Sequence, residues 1–600
     1  MFRHRHSWII FTATILLLLI AASRVLRLDS LGMNPDEVWS VWQTFGTPSQ
    51  ILRWTPYDWP PGYYLTLGLW RGLSGQHPII LRYLSVLAFL IGNSFLFRAV
   101  QRLRGTNAGL LAMPAYAALG YGIYLSSEVR GYALLLGLLP IAFWLTIRYF
   151  DHPSLKRAIP LALSIAVLFY ISLTSVGVLL MLGIYTLLVY QRRVWYWWLP
   201  GLMTGIIAIP EILSKAEVAV RRTVATRTLI LPPLAEALRN MYRDYAGYDT
   251  IFLLWGVLFI AGLILVIYRR KLDKQAIAWL LWAVGAPLLM FISHPLLGFF
   301  SVRYAWWIML GIATWVVWGL ANLPRAGIVA VGMLLSGMMF VPIPLKDYAP
   351  LSSLSSLEAN FIWLKDHMVM GDVLVTDPAM GCGAAEEWDY FIRTYFPSPL
   401  TFSQNPAGYR RVWYVTGNTP PEEAKRKAVM DGRIPGRFVG PPECLFRLYE
   451  APPDEQGILF ENGMRFHGME VMEGDQPWTG PLVRREGESI RLRLWWSVDR
   501  IVDLDYSVGT YLLKDNLLFG EFNSPPQITY PENTPPETSR WQPGQYYIEQ
   551  RELTLQYPTP RTNLRIAMAV YFWQDGKRVR AEGMDTDLLL TLRNLRIMSY

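Results

Sequence analysis

The sequence predicts an α-helical polytopic membrane domain of about 11 spans, followed by a small α/β domain and a C-terminal all-β sandwich. Apolar runs long enough to span a bilayer recur until Pro342 and Pro344, and none follows them. Hydrophobic residues make up 52% of the 600 residues and charged residues 17%, which favours a membrane protein. Charges, prolines and turn residues become common after the break. We therefore predict domains at 1–345, 350–452 and 455–600.

The loops between the apolar runs predict the orientation of the membrane domain. The predicted spans are 8–23, 79–97, 108–125, 132–149, 158–173, 176–190, 195–213, 250–267, 276–292, 304–321 and 326–343. Four basic clusters then fall on the same side as the basic N-terminus: Arg98, Arg102 and Arg104; Arg148, Lys156 and Arg157; Arg192 and Arg193; and Arg269, Arg270 and Lys271. Positive loops stay in the cytoplasm, so we expect a multi-pass cell-membrane protein with its C-terminal domains outside.

The net charge is +9, and much of the basic excess lies in short loops between the apolar runs. Basic residues spread over short loops indicate membrane orientation, and no basic face with interleaved aromatics points to nucleic acid. The first apolar run is interpreted as a retained span, because acids follow it at once and no small-residue cleavage site is evident. The apolar stretch from Pro60 to Leu73 is short for a span, which favours a helix at the outer membrane surface.

Hydrophobic periodicity divides the soluble part in two. Residues 354–367 read as a helix, and 372–376, 411–415 and 445–449 read as strands, which is typical of an α/β unit. Alternating runs at 489–496, 505–512 and 564–572, separated by turn residues, predict the β-sandwich. The two cysteines, Cys382 and Cys444, exclude a zinc site built from cysteine alone. Outside the cytoplasm they could equally form a disulfide or stay as two thiols.

A pair of acids, Asp36 and Glu37, follows the first span on the predicted outer side. Carboxylates beside a membrane helix are costly unless they have a function, and an acid at this surface can act as a general base on an acceptor hydroxyl. The alternative is an interfacial turn or a helix N-cap, for which Pro35 before the pair is suitable.

Further polar side chains fall on the same predicted side: Asp58, Glu128, Arg130, His294, Arg303 and Tyr304. Glu128 and Arg130 could simply pair, but charges at this depth usually face a protein interior or a cavity. The Arg303 guanidinium fits phosphate oxygens, although an ordinary interfacial anchor is the alternative.

The order of these motifs resembles a known family. The chain carries Asp36-Glu37, Pro60-Pro61-Gly62-Tyr63-Tyr64, Arg82-Tyr83-Leu84-Ser85, Glu128-Val129-Arg130-Gly131-Tyr132 and Arg303-Tyr304. Over about residues 1–345 it looks like the polytopic GT-C glycosyltransferases, in the branch related to protein mannosyltransferases and aminoarabinose transferases. Relatives often have His before the Pro-Pro pair, where this chain has Trp59.

The resemblance implies a GT-C-like fold and inverting transfer of a hexosyl or pentosyl group from a polyprenyl-phosphate sugar donor. The acceptor would be an extracytoplasmic glycan, lipid or protein. Asp36 would be the base, with Glu37 beside it, and Arg303 would lie near the donor phosphate. The residues that the resemblance and the chemistry assign to substrate binding are Asp58, Tyr63, Arg82, Glu128, Arg130, Tyr132, His294, Arg303 and Tyr304. No metal ligand is assigned, and a divalent metal stays open as a cofactor.

Two other classes of protein remain as alternatives. A transporter or flippase of lipid-linked sugars would more often show internal repeats and polar groups in broken mid-membrane helices. A membrane-anchored carbohydrate-binding protein would use the sandwich as its active module. The grouping of charges at one surface favours the enzyme, with donor, acceptor and membrane lipids as its partners.

Overall fold

The chain divides into two compact units. Unit 1 contains Met1–Glu358 and Ala384–Thr394, and unit 2 contains Ala359–Gly383 and Tyr395–Tyr600. The computed structural model describes residues 2–30, 32–54, 60–247, 249–298, 300–343, 354–376, 382–396, 398–418, 420–485, 487–515, 517–556 and 562–597.

Helices build most of unit 1. They are α1 Phe2–Val25, α2 Pro35–Trp42, α3 Pro48–Trp54, α4 Gly62–Ser74, α5 Pro78–Arg104, α6 Thr106–Ala117, α7 Gly120–Leu125, α8 Tyr132–Asp151, α9 Leu155–Ile171, α10 Val176–Tyr190, α11 Trp198–Ser214, α12 Ala216–Arg227, α13 Leu234–Ala246, α14 Asp249–Tyr268, α15 Lys274–Leu280, α16 Ala286–Leu297, α17 Ile308–Leu320 and α18 Arg325–Met338. Three further helices follow: α19 Leu354–His367, α20 Ala385–Tyr395 and α21 Glu423–Met430.

Within the described part of the chain, six helical stretches are long and apolar enough to cross a membrane: Ser7–Val25, Pro78–Arg104, Tyr132–Asp151, Leu173–Ser214, Asp249–Tyr268 and Lys274–Leu297. Shorter apolar helices lie at Ile308–Leu320 and Arg325–Met338. The predicted helical membrane region is thus confirmed, while the count of about 11 spans stays a prediction. The predicted span 108–125 is interrupted, because α6 ends at Ala117 and Leu119 takes an extended conformation before α7.

Two glycines let α5 and α8 approach closely. A Cβ added at Gly92 would lie 2.6 Å from Gly137 Cα, and one at Gly137 would lie 2.3 Å from Ala88 O. Small residues at a helix interface allow such close backbone packing in membranes. The approach matters for function because α5 carries Arg82 and α8 begins at Tyr132, two of the predicted site residues.

Strands dominate unit 2. They are β1 Val373–Thr376, β2 Arg411–Gly417, β3 Ile434–Val439, β4 Cys444–Glu450, β5 Ile458–Leu459, β6 Met464–Glu473, β7 Gln476–Pro477, β8 Val483–Arg484, β9 Ser489–Val498, β10 Tyr506–Lys514, β11 Leu517–Ser524, β12 Ile528–Tyr530, β13 Tyr547–Thr554, β14 Asn563–Phe572 and β15 Leu590–Ile597. The six strands predicted from the sequence agree with β1, β2, β4, β9, β10 and β14. The other strands and helices α20 and α21 were not placed from the sequence.

The strands form three sheets. The first has the order β1-β2-β4-β3, with β1 parallel to β2 and the other pairs antiparallel. The second is β11-β10-β14-β15-β8, and the third is β12-β13-β9-β6-β5 with β7 paired to β6. The last two share one apolar core, to which Leu494 and Trp496 of β9 and Val508 and Leu512 of β10 contribute. The C-terminal part is therefore β-rich, as expected.

A disulfide joins Cys382 to Cys444 within unit 2, so the structure selects the bridge of the two alternatives left open by the sequence. The bridge links the segment that precedes α20 to the start of β4. A structural disulfide of this kind is typical of proteins outside the reducing cytosol.

Buried ion pairs join the first sheet to the third. Glu450, at the end of β4, accepts hydrogen bonds from Arg411 of β2 and from both terminal nitrogens of Arg493 of β9, the latter at 3.1 Å. Arg493 Nε also donates to Glu470 of β6 at 2.7 Å, and Arg410 pairs with the same carboxylate. Although burial alone would raise it, the Arg493 and Arg411 guanidiniums hold the pKa of Glu450 below its ordinary value.

We expect Glu450→Ala to destabilise unit 2 by about 1–3 kcal/mol, because the buried Arg411 and Arg493 guanidiniums each lose one carboxylate partner. Arg493 keeps Glu470, and Arg411 keeps Asp372. Glu423→Ala is the matched control, since Glu423 pairs with Arg426 at 3.0 Å on an exposed helix face, where an ion pair contributes little to stability. Denaturant-dependent proteolysis of the full chain in detergent measures both. Equal sensitivity of the two variants would contradict a structural role for the cluster.

Candidate active site

The two acids begin helix α2. The Asn34 side chain accepts from Glu37 N at 3.0 Å, and Glu37 Oε2 accepts from Asn34 N at 3.0 Å, so the two residues form a capping box with Pro35 at the first turn. The two negative carboxylates also stabilise α2, because they lie near the positive end of the helix dipole. The N-terminal cap that the sequence offered as an alternative is therefore present: Asn34 is the cap, and Glu37 completes the capping box.

Glu37 is fully engaged in the protein interior. Its side chain is 2% exposed and receives Arg82 Nε at 3.1 Å, Arg82 Nη2 at 2.9 Å and Val129 N at 2.8 Å. Arg82 also donates to the backbone oxygens of Leu28 and Gly32. These contacts tie α2, α5 and the chain before α8 together. Both Glu37 oxygens are occupied, so the carboxylate holds the site together and has no free face toward a substrate.

Asp36 lies one residue away but in a different environment. Its side chain is 36% exposed, and its Oδ2 accepts from Arg303 Nη2. Arg130 Nη2 lies 3.6 Å from the same oxygen. The capping geometry points Glu37 inward and leaves Asp36 at the surface of α2, which makes Asp36 the accessible acid of the pair.

Arg130 connects Asp36 to the chain before α8. Its Nη1 donates to Asp36 O at 3.0 Å and to Ser40 Oγ at 2.9 Å, while Ser40 Oγ donates to Asp36 O at 2.7 Å. The Arg130 side chain is 8% exposed. A guanidinium held this firmly provides a fixed positive charge next to the carboxylate. Ser40 was not predicted as a site residue, although it lies one helical turn after Asp36 and so on the same face of α2.

Arg303 reaches the site from the turn before α17. Its Nε donates to Tyr132 OH at 3.1 Å, and its guanidinium carbon lies 5.4 Å from the centre of the Tyr132 ring. Although burial alone would lower it, interactions with Tyr132, Asp36 and Glu128 raise the pKa of the Arg303 guanidinium above its ordinary value. Arg303 is 36% exposed, so one part of the fork is held and another faces the open side of the site.

Glu128 is a third carboxyl group near the pair. Its Oε1 accepts from Asn34 Nδ2 at 3.2 Å and Tyr124 OH at 3.1 Å, and its backbone oxygen accepts from Ser85 Oγ at 2.6 Å. Burial, together with the nearby charge of Glu37, raises the pKa of the Glu128 carboxyl to about 7 against the opposing effects of Arg130 and Arg303. Glu128 is thus a group that can change charge near neutral pH.

The raised pKa of Glu128 predicts a pH-dependent stability difference. The folded protein binds this proton more tightly than the unfolded chain, so the contribution is present below the unfolded pKa and is lost as pH rises through about 7. Glu128→Gln imitates the protonated carboxyl. Its free energy of unfolding relative to wild type should therefore be about 2–3 kcal/mol larger at pH 8 than at pH 5. Thermal unfolding in detergent at both pH values measures this, with Glu217→Gln, 85% exposed, as the control. A gain independent of pH would contradict the assignment.

A cleft opens beside Arg130. Its volume is about 20 Å³, which is roughly the space of one water molecule. It is lined by Tyr63, Tyr64, Arg130, Gly131, Tyr132, Leu135, Ile171 and Ser172. Tyr63 is buried, and its hydroxyl has no hydrogen-bond partner among the described residues. A buried polar group without a partner is costly, and the cleft has space for one water molecule that could satisfy it. The structure therefore brings Tyr63, Arg130 and Tyr132 to one cavity.

The structure places the remaining predicted residues away from this cleft lining. His294 Nδ1 accepts a hydrogen bond from Phe300 N at 3.3 Å. The ring proton is therefore on Nε2, which donates to Leu229 O at 3.2 Å. His294 thus supports the loop that carries Arg303. Tyr304 lies next to Arg303 in the same turn and is half-buried. Asp58 lies outside the described residues.

The sequence missed several residues that position the site. Asn34 caps α2, Tyr124 and Asn34 hold Glu128, and the buried carboxylate of Glu358 accepts from Met33 N at 2.6 Å. The Asn34-to-Glu37 spacing is a capping-box signal that could have found the first. Among the described residues, no group of three His, Cys, Asp or Glu side chains could hold a metal ion.

Comparisons with known proteins add structural similarity only. No protein-family profile and no curated protein matches the sequence. The chain is similar to ArnT from Cupriavidus metallidurans in the apo state, at 11% identity over 74% of this chain and 98% of that one, with a TM-score of 0.48. The same protein bound to undecaprenyl phosphate matches at 12% identity over 74% and 98%, with a TM-score of 0.35.

The oligosaccharyltransferase of Archaeoglobus fulgidus, in complex with Zn and sulfate, matches at 8% identity over 98% of this chain and 100% of that one, with a TM-score of 0.37. Similarity at these identities and TM-scores assigns no activity or substrate to this chain.

Proposed function

We propose that the chain is an integral membrane glycosyltransferase that transfers a sugar from a polyprenyl-phosphate-linked donor to an extracytoplasmic acceptor with inversion. The observation that carries this proposal is the exposed Asp36 carboxylate, set between the Arg303 and Arg130 guanidiniums beside a cleft. Transfer of this kind needs a base for the attacking hydroxyl and a cation for the leaving phosphate. This part of the structure offers both within one cluster.

In the proposed reaction, Asp36 accepts the proton of the acceptor hydroxyl. The acceptor oxygen forms a bond to the anomeric carbon on the face opposite the phosphate, and the bond between that carbon and the phosphate oxygen breaks. The electron pair of the broken bond stays on the polyprenyl phosphate. Arg303 offsets this charge with its planar fork, and Arg130 adds a second, fixed charge. Glu37 and Arg82 keep α2 in place and take no part in proton transfer.

The donor class follows from the motif resemblance and from chemistry. A donor whose leaving group is already a phosphate needs no nucleotide-binding loop, and the sequence carries no convincing Rossmann or P-loop signature. Because Arg303 lies beside Asp36, the phosphate and the attacking hydroxyl would both contact the same sugar, on opposite faces of its anomeric carbon.

The proposal includes the orientation and the domain organisation. The N-terminus lies in the cytoplasm and the soluble parts lie outside, because the basic loops share the side of the N-terminus. Residues 350–452 form an α/β domain, and 455–600 form a β-sandwich built from the second and third sheets. The buried ion pairs around Glu450 hold these two domains together.

Comparative mass spectrometry of cell-envelope glycans, glycolipids and glycoproteins tests the proposed function. Cells without the gene should lose one glycosylated species and accumulate its unmodified acceptor. Wild-type chain should restore the species, and an Asp36→Asn chain inserted at the same level should not. Restoration by both chains would contradict the proposed reaction and favour a transport or binding role.

A further inference from the structure

The proposed base, Asp36, is held in an ion pair. Asp36 Oδ2 accepts from Arg303 Nη2, with Arg130 Nη2 at 3.6 Å from the same atom. A carboxylate that already holds guanidinium protons attracts a hydroxyl proton less strongly than a free one. The arrangement that makes Arg303 available to a phosphate therefore also makes Asp36 a poor base.

The two ion pairs of α2 differ in how easily they can open. Glu37 and Arg82 are 2% and 3% exposed, and both carboxylate oxygens are occupied. Asp36 and Arg303 are each 36% exposed, and the pair is made through a single oxygen. Removing one partner of a buried pair is strongly unfavourable, whereas a solvent-accessible pair is weak. Only the Asp36 pair is therefore suited to exchange partners during a reaction.

Arg303 can bind a phosphate before it leaves Asp36. Its Nε is held by Tyr132 and its Nη2 by Asp36, while no hydrogen bond joins its Nη1 to any of the described residues. A phosphate oxygen can bind at Nη1 and then at Nη2, which gives the parallel contacts that the guanidinium fork prefers. The bond to Tyr132 keeps the guanidinium in the site during this exchange.

We propose that the donor phosphate competes with Asp36 for Arg303, so that the base is released only in the donor-loaded enzyme. This inference rests on the proposed function and adds a binding order to it: the donor binds first, and the acceptor hydroxyl then meets a carboxylate that no longer accepts from Arg303. Arg130 keeps its bonds to Asp36 O and Ser40, so α2 does not move when Arg303 turns away. The same device leaves the base inactive while no donor is bound.

The direct test is equilibrium binding of undecaprenyl phosphate to the full chain in detergent, followed by intrinsic tryptophan fluorescence. Asp36→Asn removes the intramolecular competitor, so its Kd should be roughly two- to tenfold lower than that of wild type. Arg303→Ala should bind more weakly. In the Arg303→Ala background, Asp36→Asn should no longer lower the Kd for undecaprenyl phosphate, because no arginine is left for Asp36 to hold.

The double variant separates the exchange from a general charge effect. Loss of a negative charge near any anion site strengthens binding, but that gain would persist in the Arg303→Ala background. A persistent gain, or equal affinity of wild type and Asp36→Asn, would overturn the exchange and leave the proposed enzyme standing. Failure of wild type and Asp36→Asn alike to bind undecaprenyl phosphate would overturn both.

Steady-state inhibition gives a second readout that does not depend on the variants. A non-reactive acceptor analogue should inhibit uncompetitively against the donor, because it binds only after the donor has released Asp36. Competitive or noncompetitive inhibition would contradict the order. The sugar-transfer activity of wild type in the same assay reports separately on the proposed function.

Discussion

Asp36→Asn should lower the turnover number for sugar transfer by about 10²–10⁴-fold, the usual effect of losing a general base. The substitution keeps the size of the side chain and removes the proton acceptor. Asp36 is 36% exposed and does not cap α2, so the protein should still insert and fold. The measurement is transfer from a synthetic polyprenyl-phosphate sugar by purified protein at saturating donor and acceptor.

Glu37→Gln is the contrasting variant. Glu37 neutralises the buried Arg82, so its replacement should reduce the free energy of unfolding by about 3–5 kcal/mol and lower activity together with the yield of folded protein. If Asp36→Asn kept near-normal transfer while Glu37→Gln folded but was inactive, Glu37 would be the base and Asp36 would not. Normal activity of both variants would remove the acid pair from the reaction.

Arg303→Ala should reduce turnover by about 10²–10³-fold, because it removes the cation that offsets the charge on the leaving phosphate. Arg303→Lys keeps the charge but loses the fork that spans Tyr132 and Asp36, so it should recover only part of the activity. Transfer is measured at saturating acceptor over a range of donor concentrations. Arg303→Lys should then show a higher KM for donor as well as a lower kcat.

Arg221→Ala is the matched control for this series. Arg221 pairs loosely with Glu217 at 3.7 Å on helix α12, with both side chains largely exposed. Its removal should leave transfer within about twofold of wild type. Unchanged donor dependence and turnover in Arg303→Ala would exclude Arg303 from the site and leave Arg130 as the candidate.

The helices could be predicted from the sequence because their signals are local. The apolar run at 250–267 and the helix at 354–367 depend on neighbouring residues alone, and both lie where they were expected. The interruption between α6 and α7 was not predicted, because the whole stretch is apolar and the break comes from the extended Leu119. Periodicity cannot locate such a break.

The roles of the charged residues were harder to predict because their partners are distant in sequence. Asp36 and Glu37 are adjacent and chemically similar, and only the fold shows that Glu37 faces Arg82 and that Asp36 faces Arg303. The pairing of Arg411 and Arg493 with Glu450 likewise joins three separate strands. A single sequence shows which charged residues are present but not which of them form ion pairs in the fold.

The most direct test of the central claim is a transfer assay with purified chain in detergent and a synthetic polyprenyl-phosphate sugar. The assay follows both the release of polyprenyl phosphate and the anomeric configuration of the product by NMR. We predict stoichiometric release, a product of inverted configuration and loss of both signals in Asp36→Asn. A product of retained configuration, or donor turnover that persists in Asp36→Asn, would contradict a reaction in which Asp36 is the base.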